Sequence, residues 1–488
     1  MVRQIATQKA GRLHGTLGAS SIVFMVVAAA APLTVIAGVM PIGFAVGNGA
    51  GLPAIFAAVG VMLVVFSVGF TVMARHVPRP GAFFTYIAHG LGRPAGLGAA
   101  FAAILCYLAF ELGVMAYFGY ELSAAIDRYA SVHVHWMVFT GVAICAVGWL
   151  GFRRVELSAH VLAVLLTLEV AIVVLISVVA VVTGGAEGLN LASFSPEQIA
   201  SGAPSLALMF AAASFVGFEA TAIFRDEARD PQHTVPRATF AAVILIGVFY
   251  TFAAWAFVMA WGTGNVAERA ATDPAFLFST ANAHLGQLGE FVTHLLVITS
   301  IFAAALAFHS ITTRYLHALA KAEVLPPFLA RTSPRDGAPS SASLTTTVAT
   351  SALVMICLVA GMDPVSQIFT WFVGLGAFVY LLLLAVCALA VLTYFARNGR
   401  AGEPIWSVVI SPLLALLGLG YSAWITAKNF PLLVGDVDTD GNPVFGALSM
   451  ALLASVAVTV GTGVVLALVL RARGARAYGE ITEARIAV

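Results

Sequence analysis

SIVFMVVAAAAPLTVIAGVMPIGF, residues 21–44, and SLALMFAAASFVGFEATAIF, residues 205–224, are apolar enough to cross a bilayer, yet both are badly written as plain helices. The first carries Pro32 in its middle and Pro41 nearer its end. Proline removes a backbone N–H and clashes with the preceding turn, so the helix kinks or breaks there. The second gathers Ser214, Gly217 and Glu219 around its centre. Glycine weakens a helix interior, and an ionised carboxylate at the bilayer centre costs at least about 2.5–3.5 kcal/mol.

The rest of the chain is a setting for these two segments. Of its 488 residues, 60% are hydrophobic and 10% charged, and the mean hydropathy is +0.98. Soluble domains carry roughly a quarter of their residues as Asp, Glu, Lys or Arg, so the composition excludes a soluble particle. A net charge of +1 gives no basic field for nucleic acid and no acidic disordered tail. A helix needs roughly 20 mostly apolar residues to cross the hydrocarbon. Apolar runs meet this at 17–43, 52–74, 96–126, 134–151, 155–183, 204–224, 237–262, 288–313, 341–361, 364–395, 405–427 and 445–470. Threading these twelve with both ends inside puts all but Arg128, Arg269 and Lys428 of the 24 Lys and Arg on the cytoplasmic side. One misplaced span would destroy that split. The expectation is a multi-pass protein of the cytoplasmic membrane with both termini cytoplasmic. The basic, polar start MVRQIATQKAGRLHG lacks the apolar core of a cleaved signal peptide.

Most acidic residues fall in loops. VGDVDTDGNP, residues 434–443, resembles a calcium loop only briefly, because no glutamate follows at the right spacing. A polar turn is expected there. Four glutamates remain in apolar spans: Glu111 and Glu121 in the third, Glu169 in the fifth and Glu219 in the sixth. Such residues are paired, protonated or face a cavity. Glu111 lies near mid-span with Tyr107 one turn before it, and Glu169 is similarly central. For both, a substrate or proton role stands beside an interhelical hydrogen bond. Glu121 reads as structural, and His160, His294 and His309 as hydrogen-bonded core residues. Cys106, Cys145, Cys357 and Cys387 sit in apolar runs and read as buried free thiols.

The two interrupted spans stand five apart and run in opposite directions. A matched pair of this kind points to an inverted-repeat transporter, with backbone N–H and C=O groups freed at the breaks to hold a carboxylate and an ammonium group. The alternative is a proline kink plus a small-residue packing face.

GFEATAIFRDEARDPQHTVPRA, residues 217–238, resembles the sixth-helix signature of the amino acid–polyamine–organocation permeases, through Gly217-Phe218-Glu219, Asp226-Glu227, Asp230-Pro231 and Pro236-Arg237-Ala238. RHVPRPGAFFTYIAHGLGRPAG, residues 75–96, is similar to the family's P-x-x-G-x-x-x-x-Y loop through Pro78, Gly81 and Tyr86. RYLHALAKAEVLPPFLARTSPRDGAP, residues 314–339, is similar to the stretch after the eighth helix. The resemblance implies an all-α polytopic membrane protein of 12 transmembrane helices. Helices one to ten would form a five-plus-five inverted-repeat (LeuT-type) core, residues 17–395, with helices one and six broken. Two accessory helices (396–470) and cytoplasmic tails (1–16 and 471–488) complete it. It implies alternating access, with substrate held by Ala29, Ala30, Ala31, Pro32, Leu33 and Thr34 of the first break and Phe215, Val216, Gly217, Phe218 and Glu219 of the sixth. Tyr107 and Glu111 stand beside them. Phe218 falls where the family places an aromatic gate, and Arg225, Asp226, Glu227, Arg229 and Asp230 alternate in sign like a cytoplasmic gate or a solvated loop.

Two departures bear on cargo and coupling. AAAAPLT replaces the family's glycine-rich turn in helix one, which argues against a standard α-carboxylate site and leaves amines open. The fifth span has no lysine, and the eighth offers only Ser300 at mid-depth, which argues against sodium and for protons or exchange, with Glu111 and Glu169 as coupling candidates. Glutamates without an opposing membrane Lys or Arg mildly favour an amine or cationic substrate. The expected partners are a small amine or amino acid, the bilayer and protons, with no cofactor, no metal and no nucleic acid. Oligomeric state is not legible. A major-facilitator carrier would share the span count but would show a long central loop and a basic G-x-x-x-D-R loop. A membrane enzyme would need clustered His, Asp or Cys, and a sensor a sizeable soluble domain.

Overall fold

The computed structural model describes residues 18–77, 82–153, 159–333 and 337–481. The N-terminal tail, Pro78, Arg79 and Gly81 of the 75–96 motif, Arg154 and Arg335 of the basic count, and the end of the C-terminal tail with Arg485 lie outside them. Regular structure among the described residues is helical. Among the described residues, eleven apolar units are long enough to cross a membrane, and the first, Ala19–His76, runs two passes together through the 49–51 turn. The passes, twelve in all, are α1 (19–48), α2 (Leu52–His76), α3 (Arg93–Ala130), α4 (Trp136–Arg153), α5 (Ala159–Val182) and α6 (204–227). They continue as α7 (Pro231–Trp261), α8 (Phe276–Lys321), α9 (Ser340–Val359), α10 (Pro364–Asn398), α11 (Trp406–Val434) and α12 (Ala447–Ala472).

Local chemistry explains the irregular passes. α1 stops at Ala29 and restarts at Pro32, because proline suits the first turn of a helix, where the N–H it lacks would have no intrahelical partner. Pro41 does not break the chain. Wide π-type turns at Val35–Val39 and Gly43–Asn48 flank it, accommodating the N–H that proline lacks. α6 stops at Ala213 and resumes at Phe218 as a 3-10 helix. The far end of α1 meets the start of α6, where the Ala203 N–H donates to the Gly47 carbonyl at 2.8 Å, so the two broken passes are antiparallel.

α3, α6 and α10 are jacketed by protein, whereas α4 and α12 lie at the periphery and turn much of their surface outward. Cys145 therefore differs from the buried thiol expected: it lies on the outward face of α4, while Cys106, Cys357 and Cys387 are buried. The helix Ala82–Leu91 is tied to α10 by Thr393 and Arg397, which both donate to the Gly90 carbonyl, at 3.0 and 3.1 Å. α11 is held to α2 by Ser411 Oγ on the Val65 carbonyl at 2.6 Å. Beyond α12, the short helix Arg476–Glu480 places Tyr478 under the Arg93 guanidinium, 5.0 Å from the ring centre.

Candidate functional site

The break in α1 turns on Ala31, whose φ of 44° is left-handed. A residue with a Cβ pays about 1–2 kcal/mol for that conformation, so the surroundings must hold it. They do so through the restarting helix. Thr34 donates from its N–H (3.3 Å) and from Oγ1 (3.0 Å) to Ser300 Oγ of α8, and Ser300 donates in turn to Glu169 Oε2 of α5 at 2.8 Å. The Leu33 N–H also hydrogen-bonds the Glu169 carboxyl. Glu169 thus caps a helix N-terminus, where backbone donors and the dipole favour an anion.

The break in α6 is held by its own carboxyl. Gly217 has φ 111°, which only glycine adopts readily, and its N–H donates to Glu219 Oε2 at 2.9 Å. Tyr107 of α3 donates to Oε1 at 2.6 Å and Tyr380 of α10 to Oε2 at 3.0 Å. Glu219 is a fully buried knot joining three helices. Phe218 turns toward α2, edge-on to Phe66 (6.0 Å) and Phe70 (6.3 Å), rather than onto the central cavity.

Between the breaks lies a cavity of about 40 Å³. Ala30, Ala31 and Thr34 line it from α1, and Ala213 and Val216 from α6. Aromatic rings close it. On one side Phe110 of α3 stacks on Phe308 of α8 at 5.2 Å; on another, Phe369 of α10 stacks on Tyr117 of α3 at 4.5 Å. Gly38 of α1 admits that second pair: a Cβ there would lie 2.8 Å from Phe369 Cζ and 2.9 Å from Tyr117. Thr34 is the single polar residue among those lining the cavity. The acidic cavity anticipated from the glutamates is thus not what forms, because each carboxyl turns away from it into hydrogen bonds.

Glu111 is the clearest case. Its Oε1 receives His309 Nδ1 of α8 at 2.9 Å and Thr350 Oγ1 of α9 at 3.1 Å, while Oε2 has no hydrogen-bond partner among the described residues. His309 Nε2 lies 3.0 Å from Ser343 Oγ. Both side chains of the pair are 1% exposed. Sequence reasoning placed Glu111 and Glu169, and its reading of His309 as a hydrogen-bonded core residue matches the bonds to Glu111 and Ser343. It noted Ser300 only in weighing sodium, and it did not name Tyr380, Phe308 or Phe369. Of the five gate candidates, Arg225, Asp226 and Glu227 have side chains outside the described ones. Arg229 and Asp230 are exposed, and Asp230 Oδ2 meets His233 at 2.8 Å at the start of α7.

Two antiparallel broken passes around a buried central cavity define the fold of the inverted-repeat transporters. Consistent with that class, the structure resembles that of MhsT in complex with L-phenylalanine, with a TM-score of 0.55 and 12% identity, covering 85% of this chain and all of that one. The chain belongs to the amino acid permease family, whose profile matches residues 17–445. A curated relative, the vacuolar cationic amino acid transporter 8 of Arabidopsis thaliana, is 23% identical over 235 residues, which are 48% of this chain and 37% of that protein. The chain thus spans little more than a third of that relative's length.

Proposed function

We propose that this chain is a secondary active permease that carries an amino acid or related organic amine across the cytoplasmic membrane by alternating access, with both termini in the cytoplasm. The observation that carries the reading is the closed cavity between the breaks of α1 and α6. At about 40 Å³ it holds little more than one water, so binding and release require the helices around it to part. With Thr34 as its one polar lining residue, recognition of the charged end of a substrate falls to main-chain groups at the breaks, and side-chain selection to the Val and Phe walls. That lining favours an uncharged side chain. The name of the plant relative favours a cationic one, as a second reading.

Proton coupling is the companion proposal, with Glu111–His309 and Glu169–Ser300 as the buried groups that exchange a proton as the passes move. Uptake of radiolabelled amino acids and polyamines into proteoliposomes, with and without an acid-outside gradient, tests both parts. At least one compound should accumulate, and more strongly with the gradient. No uptake or exchange of any amine or amino acid ends the functional reading. Unchanged gradient-driven uptake in both Glu111→Gln and Glu169→Gln ends the coupling assignment. Gly217→Trp should insert normally and not transport.

A further inference from the structure

A second cavity, of about 130 Å³, lies at the far end of α3, on the side that the basic-residue distribution places outside. Glu121 and Arg128 of α3 face Glu290 and His294 of α8 across it, with Tyr120 and Phe278 as aromatic walls. Arg128 pairs with Glu290, which also takes a hydrogen bond from Asn282, so that carboxylate is satisfied. Glu121 is left with the Tyr117 hydroxyl and with His294, whose Nε2 stands 3.3 Å from its Oε2. The side chains of Glu121 and His294 are 3% and 5% exposed, and neither imidazole nitrogen completes a hydrogen bond among the described residues. The ring is held in place, stacked on Phe278 at 3.9 Å and edge-on to Tyr129 at 5.7 Å. With its imidazole partner unprotonated, a buried Glu121 carboxylate has no positive charge beside it.

We propose that this cavity is a loading site for the primary ammonium group of an arriving molecule, which takes the place of a proton on His294. The ammonium donates to Glu121 and to an unpartnered imidazole nitrogen, while the faces of Tyr120 and Phe278 receive its remaining positive edge. One carboxylate and one imidazole are too few for zinc, which takes three or four protein ligands. A protonated His294 supplies the missing charge itself and excludes the ammonium. The groups that set this balance are Glu121, Arg128, Tyr117, Tyr120 and Tyr129 on α3 and Glu290 on α8, with Asp363 at the head of α10 acting on Tyr120. Phe278 reaches the cavity from a segment joined to the rest of α8 at a kink at Gly286 (φ 71°, ψ −173°).

The proposal rests on the transport reading only for the choice of a primary amine. The test uses the full-length chain in detergent micelles and ¹³C-methylammonium as probe, followed by line broadening, against tetramethylammonium at equal ionic strength. Measurements at about pH 8 and about pH 5 span the range in which imidazole changes charge. Saturable broadening by methylammonium alone is expected at the higher pH, weakened about tenfold or more at the lower. Glu121→Gln should weaken it by a similar factor. Ala124→Leu, which fills the cavity without touching a charge, should do the same and guards against misfolding of the first variant. Ala213→Leu, which fills the central cavity, should leave binding in place. Binding that survives both α3 substitutions, ignores pH, or disappears only with Ala213→Leu overturns the assignment, as does the absence of saturable binding. Intact methylammonium binding without liposome uptake or exchange of any amine or amino acid would instead count against the transport reading alone.

Discussion

Glu111 and His309 meet at 2.9 Å across α3 and α8, one residue beyond Phe110 and Phe308, which stack at 5.2 Å on the wall of the central cavity. Each helix therefore shows an aromatic ring to the cavity and a titratable group behind it. Movement of the ring pair as a substrate enters has to move the charged pair, because both belong to the same two turns. His309→Gln keeps a hydrogen-bonding side chain but removes the proton carrier. Gradient-driven accumulation should fall about tenfold or more, while exchange of labelled for unlabelled substrate continues. Equal loss of both activities would mark His309 as structural.

Glu219 accepts hydrogen bonds from Tyr107, Tyr380 and the Gly217 N–H. Replacing it with leucine leaves two hydroxyls and a strained backbone N–H unsatisfied in the core, at about 1–3 kcal/mol each. Thermal unfolding in detergent should show Glu219→Leu as the most destabilised of the site variants. Tyr380→Phe, which removes one donor, should be milder. Equal stability of Glu219→Leu and the parent would deny the knot its role.

Gly38 lets Phe369 and Tyr117 close against α1, with 2.8 Å left for a Cβ. The obstructing atoms are ring tips, so Gly38→Ala should fold with those rings displaced. Uptake should drop several-fold through weaker substrate retention, seen as a raised KM. An unaltered KM would place the closing contact elsewhere.

Ser300 is the hinge between Thr34 and Glu169. Ser300→Ala should unlink the restart of α1 from α5 and slow uptake, and Ser300→Thr, which restores a hydroxyl, should recover most of it. Failure of threonine to rescue would point to packing rather than hydrogen bonding.

Outside the membrane, Asp436 Oδ2 accepts the Ser449 N–H at 3.0 Å in the first turn of α12, and the Ser449 hydrogen bonds hold its carboxyl below the usual carboxylate range. A lowered folded-state value means the cap contributes above the unfolded value, about 3.9, and is lost as pH falls through the lower folded one. Amide exchange at Ser449 should be faster in Asp436→Ala at neutral pH. That difference should shrink once the solution is more acidic than the folded carboxyl.

Much of the fold was legible before any coordinates. Span positions follow from apolar length, because hydrocarbon admits few polar residues, and Pro32 and Gly217 announce their breaks through backbone chemistry that any context must obey. The membrane-depth glutamates were equally visible, since a carboxyl in an apolar run needs a reason. Only the tertiary structure decided what those carboxyls do. Hydrogen bonds among Glu111 and His309, Glu169 and Ser300, and Glu219 and Tyr380 join residues on different helices, and one sequence read along its length carries no record of which faces meet. The cavity's character was hidden for the same reason. Its lining is set by which side of each helix turns inward, so glutamates that promised an acidic site pair behind its walls, and valine, alanine and phenylalanine form them.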